Sequence, residues 1–132
     1  MIAFDTNVLL RLLLNDDKRQ ARQAQALIDR VVEASDRVLL PDIVLCELEW
    51  VLDSVFELPR SRIMETFQRL LDAEEFTFIS LAAFSRALDE YKKGKADFSD
   101  YLIGTSAASA GATTTFTFDR VLLRSGGFSR PT

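Results

Sequence analysis

Short apolar runs alternate with longer stretches of helical periodicity along this chain. Residues 2–4 predict a brief buried strand, and residues 6–14 a helix broken at Asn15-Asp16-Asp17. Over residues 18–34, Ala21, Ala24, Leu27, Ile28, Val31 and Val32 recur at helical spacing, with Asp16 or Asp17 as the cap. Residues 37–40 predict a second strand, ended by Pro41. Asp42 caps a helix that runs to Phe56, and Pro59 opens another that reaches Asp72. Residues 76–79 predict a third strand, and 81–93 a helix stopped by Gly94. A helix over residues 98–110 is closed by Gly111. Residues 113–118, rich in β-branched and aromatic side chains, predict a fourth strand. The tail, with Gly126, Gly127 and Pro131, is irregular or a short edge strand.

Strands separated by helices predict an α/β fold: one domain over residues 1–132, its parallel sheet of four or five strands flanked by helices. Ligands of such sheets bind beyond the carboxyl ends of the strands. Asp5 and Asp119 both fall at those ends.

Composition narrows the chemistry. The 132 residues carry a formal charge of −4, which does not favour a nucleic-acid binder built on a broad basic face. There is no histidine, so Ser-His-Asp and Cys-His hydrolysis, histidine-ligated zinc and histidine acid–base cleavage of RNA are all excluded. Cys46 stands alone and cannot form an internal disulfide, which fits a reducing cytoplasm. The first seven residues lack the basic region and apolar core of a signal peptide, and the greasy run at residues 8–14 is too short to span a membrane.

Four acids interrupt apolar surroundings: Asp5, Glu47, Asp100 and Asp119. A buried carboxylate is costly unless it is paired or holds a cation, and basic residues are scarce beside these four. Helical geometry tests the two that lie on helices. With Val44, Leu48, Val51 and Val55 as the apolar stripe, Glu47 lies within about 80° of its centre, whereas Glu49 points to the solvent side. With Ile103, Ala107 and Ala110 as the stripe of the last long helix, Asp100 lies within about 60° of it and Asp97 about twice as far. Blander roles compete with this reading. Asp5 and Asp119 follow strands and can cap what comes next, and Asp97 with Asp100 has the spacing of a capping box. Trp50, Leu52 and Phe56 suit core or dimer surface.

Four segments together resemble one family. Phe4-Asp5-Thr6-Asn7-Val8-Leu9, Leu45-Cys46-Glu47-Leu48, Ala96-Asp97-Phe98-Ser99-Asp100-Tyr101-Leu102-Ile103 and Thr117-Phe118-Asp119 are similar in order and spacing to the PIN domain, and within it to the VapC-type toxin ribonucleases of bacterial toxin–antitoxin pairs. The resemblance spans essentially the whole chain. It implies that Asp5, Glu47, Asp100 and Asp119 bind divalent metal, magnesium or manganese, with Asp97 as a further acid of the site. Thr6, Asn7 and Thr117 match polar residues that line or support that site. The family usually has alanine where this chain has Gly104 and a small residue where it has Tyr101, which would place Tyr101 at the rim or against a partner.

The implied activity is endoribonuclease. A metal-activated water attacks phosphorus and the 3′ oxygen leaves, so the product carries a 5′ phosphate. Lys92, Lys93 and Lys95, just before the Asp97–Asp100 segment, are the best candidates for gripping RNA; Arg11, Arg120 and Arg124 are others. A VapB-type antitoxin and a homodimer using Leu52, Val55 and Phe56 follow from the same resemblance. Two rivals are a receiver-like phosphoacceptor and a phosphatase with an aspartate nucleophile. The first wants paired acids after strand one and a late lysine, and the second wants Asp-x-Asp where this chain has Asn7.

Overall fold

The computed structural model describes all 132 residues. The elements run β1 (Ile2–Ala3), α1 (Thr6–Leu14), α2 (Lys18–Glu33), β2 (Val38–Leu40), α3 (Asp42–Ser54), α4 (Arg60–Asp72), β3 (Phe76–Phe78), α5 (Leu81–Lys93), α6 (Phe98–Ser109), β4 (Thr115–Phe116), a 3-10 turn (Leu122–Arg124) and β5 (Phe128–Ser129). The fold is the expected α/β type with parallel pairing throughout. The sheet is not continuous, however. β1, β2 and β3 form one three-stranded parallel sheet in that order, while β4 and β5 pair separately in parallel. The strands are also shorter than expected. β1 ends before Phe4, and β4 keeps only two of the six residues assigned to it.

The helix starts follow local chemistry. Asp5 caps α1 through the Val8 N–H (3.1 Å), Asp17 caps α2 through Gln20 (3.0 Å), and Ser80 caps α5 through Ala83 (3.1 Å). Pro41 and Pro59 stand at the N-caps of α3 and α4, where a missing N–H costs nothing.

One core joins the three-stranded sheet to α3, α4, α5 and α6. Its densest part is aromatic. Phe98, the first residue of α6, stacks on Phe67 (4.3 Å between centroids) and meets Phe84 and Tyr91 edge-on. The start of α6 is thereby pinned into the core.

Two glycines explain the departures at Tyr101 and Gly104. Tyr101 is fully buried, so it forms no rim and meets no partner. Its hydroxyl accepts the Ala96 N–H (3.2 Å) and fills the space in which a Cβ on Gly94 would sit. Gly104 lies beneath the Phe128 ring, and a Cβ there would come within 2.6 Å of it. Gly104 therefore lets β5 lie against α6. Gly104→Ala should lower stability by about 1–3 kcal/mol through overpacking, read from thermal melts. Adding Phe128→Leu should recover part of that loss. An unchanged melting temperature in the single variant would mean that the tail moves aside freely.

Candidate active site

The acids come from four different elements. Asp5 follows β1, Glu47 lies on α3, Asp100 is in the first turn of α6, and Asp119 follows β4. Each has one side-chain oxygen fixed and the other without a hydrogen-bond partner. Asp5 Oδ1 accepts from the Val8 N–H, and Glu47 Oε2 accepts from the Thr6 hydroxyl (2.8 Å). Asp100 Oδ2 accepts from the Asp97 N–H (3.2 Å), and Asp119 Oδ1 from the Val121 N–H (2.8 Å). None of the four forms a salt bridge. The capping roles weighed for Asp5 and Asp100 are thus filled, whereas Asp119 closes a local turn with Val121 instead of capping a helix; each role uses only one oxygen.

Supporting contacts match in part what the resemblance implied. Thr6 is buried and joins α1 to α3 through Glu47. The Thr117 hydroxyl accepts the Asp119 N–H (3.0 Å) and so shapes that turn. Asn7 lines an open cleft of about 370 Å³ beside Asp5, between α1 and α2. Arg11 lines the same cleft, but its guanidinium is engaged by Asp16 (3.1 Å) and Gln20 (2.7 Å), so it is less available to a substrate.

Electrostatics connect three of the acids. Burial pushes the Asp100 carboxyl above the usual carboxylate range, and the neighbouring charges of Asp97 and Asp119 push it further. The Asp97 N–H opposes the shift. Burial likewise raises the Cys46 thiol to about 11, helped by Glu49, Asp42 and Asp100, so Cys46 packs rather than reacts. Although Asp97 and Asp119 both act on Asp100, no group of three acids stands close enough to form a ready-made metal cage. Their chemistry still fits a hard divalent cation: oxygen donors only, each with an oxygen free.

Sequence geometry misplaced Glu47 and Glu49. Glu47 is exposed, between exposed Ile43 and Trp50, whereas Glu49 is only 6% exposed. The core face of α3 is Val44, Leu45, Leu48 and Leu52. Val51 is only half-buried, and Val55 lies beyond the helix, exposed. Centring the stripe on the true face puts Glu49 about 85° from it and Glu47 about 115°. Leu52, expected at a dimer surface, is core. The buried face of α6 is likewise Phe98, Tyr101 and Leu102, while Ile103 is exposed. Asp100 is half-buried by its place in the first turn rather than by flanking that stripe.

Glu49 is the structural residue that periodicity missed. Both of its oxygens accept backbone N–H groups of the first turn of α6, from Phe98 (2.6 Å) and Ser99 (2.9 Å). A helix N-terminus favours negative charge, and here the acid is supplied by another helix. Burial raises its carboxyl while these two hydrogen bonds pull it back. Arg60, also unnoticed in sequence, closes the corner between α5 and α6. Its guanidinium donates to the carbonyls of Tyr91 (2.8 Å), Gly94 (3.1 Å) and Ala96 (2.8 Å) and lies 3.8 Å from the centre of the Tyr91 ring. Phe98, Glu49 and Arg60 together fix the segment that carries Asp97 and Asp100.

Residues 2–127 match the PIN domain family. The chain belongs to that family. No curated protein matches the chain. PIN domains are generally metal-dependent nucleases acting on nucleic acid, and this chain has that nuclease fold. No helix in it is long and apolar enough to cross a membrane.

The lysines divide. Lys92 is tied to Gln68 on α4. Lys93 and Lys95 line an open cleft of about 370 Å³ with Arg124, between the α5–α6 corner and the tail.

Proposed function

We propose that this PIN domain is a divalent-metal-dependent endoribonuclease, acting as the toxin of a VapBC-type pair in the cytoplasm. The supporting observation is that Asp5, Glu47, Asp100 and Asp119 each have one oxygen fixed and one unengaged, with no basic partner. Asp5, Glu47 and Asp100 would hold one magnesium or manganese ion; Asp119, with Asp97 beside Asp100, would hold a second ion or its water. Such a cation supplies an acidified water and positive charge against the phosphate. Thr6 and Thr117 hold Glu47 and the Asp119 turn in place. Lys93, Lys95 and Arg124, which line one cleft, bind backbone phosphates of the RNA; Lys92 contributes less because Gln68 holds it.

The 2′ hydroxyl takes no part, so cleavage leaves a 5′ phosphate and a 3′ hydroxyl. RNA incubated with the protein and magnesium should be cut, and EDTA should abolish cutting until metal is restored. Ligation-dependent sequencing of the ends should recover 5′-phosphorylated fragments. A 2′,3′-cyclic phosphate, or full activity in EDTA, overturns the mechanism. The partner is a VapB-type antitoxin that places an arginine on the acids. A homodimer would use the exposed Val55 and Phe56 without Leu52. The phosphoacceptor and phosphatase readings gain no support, since the chain belongs to a nuclease family.

A further inference from the structure

Phe116 and Phe118 are 64% and 72% exposed, although they adjoin Asp119 at the carboxyl end of β4. Phe118 lies just past β4, yet burial still alternates: Thr115 and Thr117 are half-buried while Phe116 and Phe118 are exposed, the period-two pattern of an extended chain, in which residues two apart lie about 7 Å from each other. The Thr117 hydroxyl accepts the Asp119 N–H and holds the turn that follows. The Thr117 N–H bonds to the Ser129 carbonyl (2.9 Å), so β5 backs this segment. The Arg130 guanidinium sits 5.9 Å from the centre of the Phe118 ring. Residues 115–132 carry three arginines, Arg120, Arg124 and Arg130, against one acid, Asp119, in a chain of net charge −4. None of the three forms a salt bridge.

Exposed rings at strand spacing beside unpaired arginines suit a strand of nucleic acid with unstacked bases. We propose that Phe116 and Phe118 form a stacking platform for successive bases of single-stranded RNA, with Arg130 and its neighbours on the phosphates. The platform would lead the strand to Asp119 and Asp100. A duplex hides its base faces and gains nothing from such rings. This inference rests on the nuclease reading and adds to it a base-stacking subsite at Phe116 and Phe118.

Fluorescence anisotropy in EDTA reads binding without cleavage. Labelled oligouridylate, an abasic strand of equal length and a duplex serve as probes. Phe118→Ala and Phe118→Leu should each weaken oligouridylate binding about tenfold. Phe118→Trp should retain affinity, and neither loss should appear with the abasic strand or the duplex. Leucine keeps apolar surface without a stacking face, so wild-type affinity in Phe118→Leu overturns the proposal. An equal loss on the abasic strand overturns it too. A change of molecular mass by light scattering with unchanged RNA affinity assigns the rings to a protein interface and also overturns it. Cleavage by the wild-type protein in magnesium is scored separately. If the wild type fails to cut yet binding depends on the rings, the nuclease reading falls and the platform stands. If the wild type cuts and the Phe118 variants bind and cut as it does, the platform alone falls.

Discussion

Asp100→Asn is expected to abolish metal-dependent RNA cleavage while leaving the fold intact. Asparagine keeps a side-chain oxygen for the Asp97 N–H, so the first turn of α6 should hold. It loses the negative charge that draws a cation. Even partners one step removed from a metal cost 10–100-fold, so loss of a direct ligand should cost at least about 100-fold in cleavage rate. Stability should move the other way. Burial, Asp97 and Asp119 raise the folded-state pKa of Asp100, so the native protein prefers the protonated form. Its penalty is absent below the unfolded value of about 3.9, grows as pH rises from there through the raised folded value, and is complete at neutral pH. Thermal melts across pH should show Asp100→Asn matching the wild type in acid and equalling or exceeding it near neutrality. A variant that unfolds at neutral pH would make Asp100 a structural residue.

Glu49→Ala should bring the largest loss of stability. It strips the Phe98 and Ser99 N–H groups of their acceptor where the helix start is buried. An unpartnered buried donor costs about 1–3 kcal/mol, so the loss should be about 2–4 kcal/mol, and chemical denaturation would measure it. Activity should fall as well, through displacement of Asp100 rather than loss of a ligand. Glu49→Gln is the informative companion, because one oxygen remains to accept while an amide group confronts the second N–H. Burial lifts the Glu49 pKa, so wild-type stability relative to this variant should decline as pH rises from about 4.3 through the raised value. If Glu49→Ala melts like the wild type, α6 does not depend on this acid.

The sequence carried the order and type of nearly every element, because capping residues, glycines and prolines mark boundaries locally. It singled out the four acids by their apolar neighbours, yet Asp5, Glu47 and Asp119 are exposed and only Asp100 is half-buried, because an apolar neighbour in sequence points to another face of the element. It misjudged faces where tertiary packing chose them. The α3 stripe drawn through Val51 and Val55 looked as regular as the true one through Leu45 and Leu52. Only the contact with α6 decides between them, and that contact selects Glu49 for burial. Ile103 misled in the same way, since a hydrophobic side chain marks a core face only if another element covers it. The packing of Tyr101 against Gly94 was illegible for a related reason. The two residues are complementary in space, and neither signals the other in sequence. Arg60 gave no signal in the sequence, because the carbonyls that converge on it belong to a corner about 30 residues later.

That corner has a mechanical consequence. Swinging it open would strip three carbonyls of a single shared donor and lift Tyr91 from the guanidinium in the same movement. All three carbonyls meet the same Nη2, so one displacement of the guanidinium weakens every bond together. The wall that bears Asp97 and Asp100 is therefore an anvil, held from behind at three carbonyls by one side chain of α4.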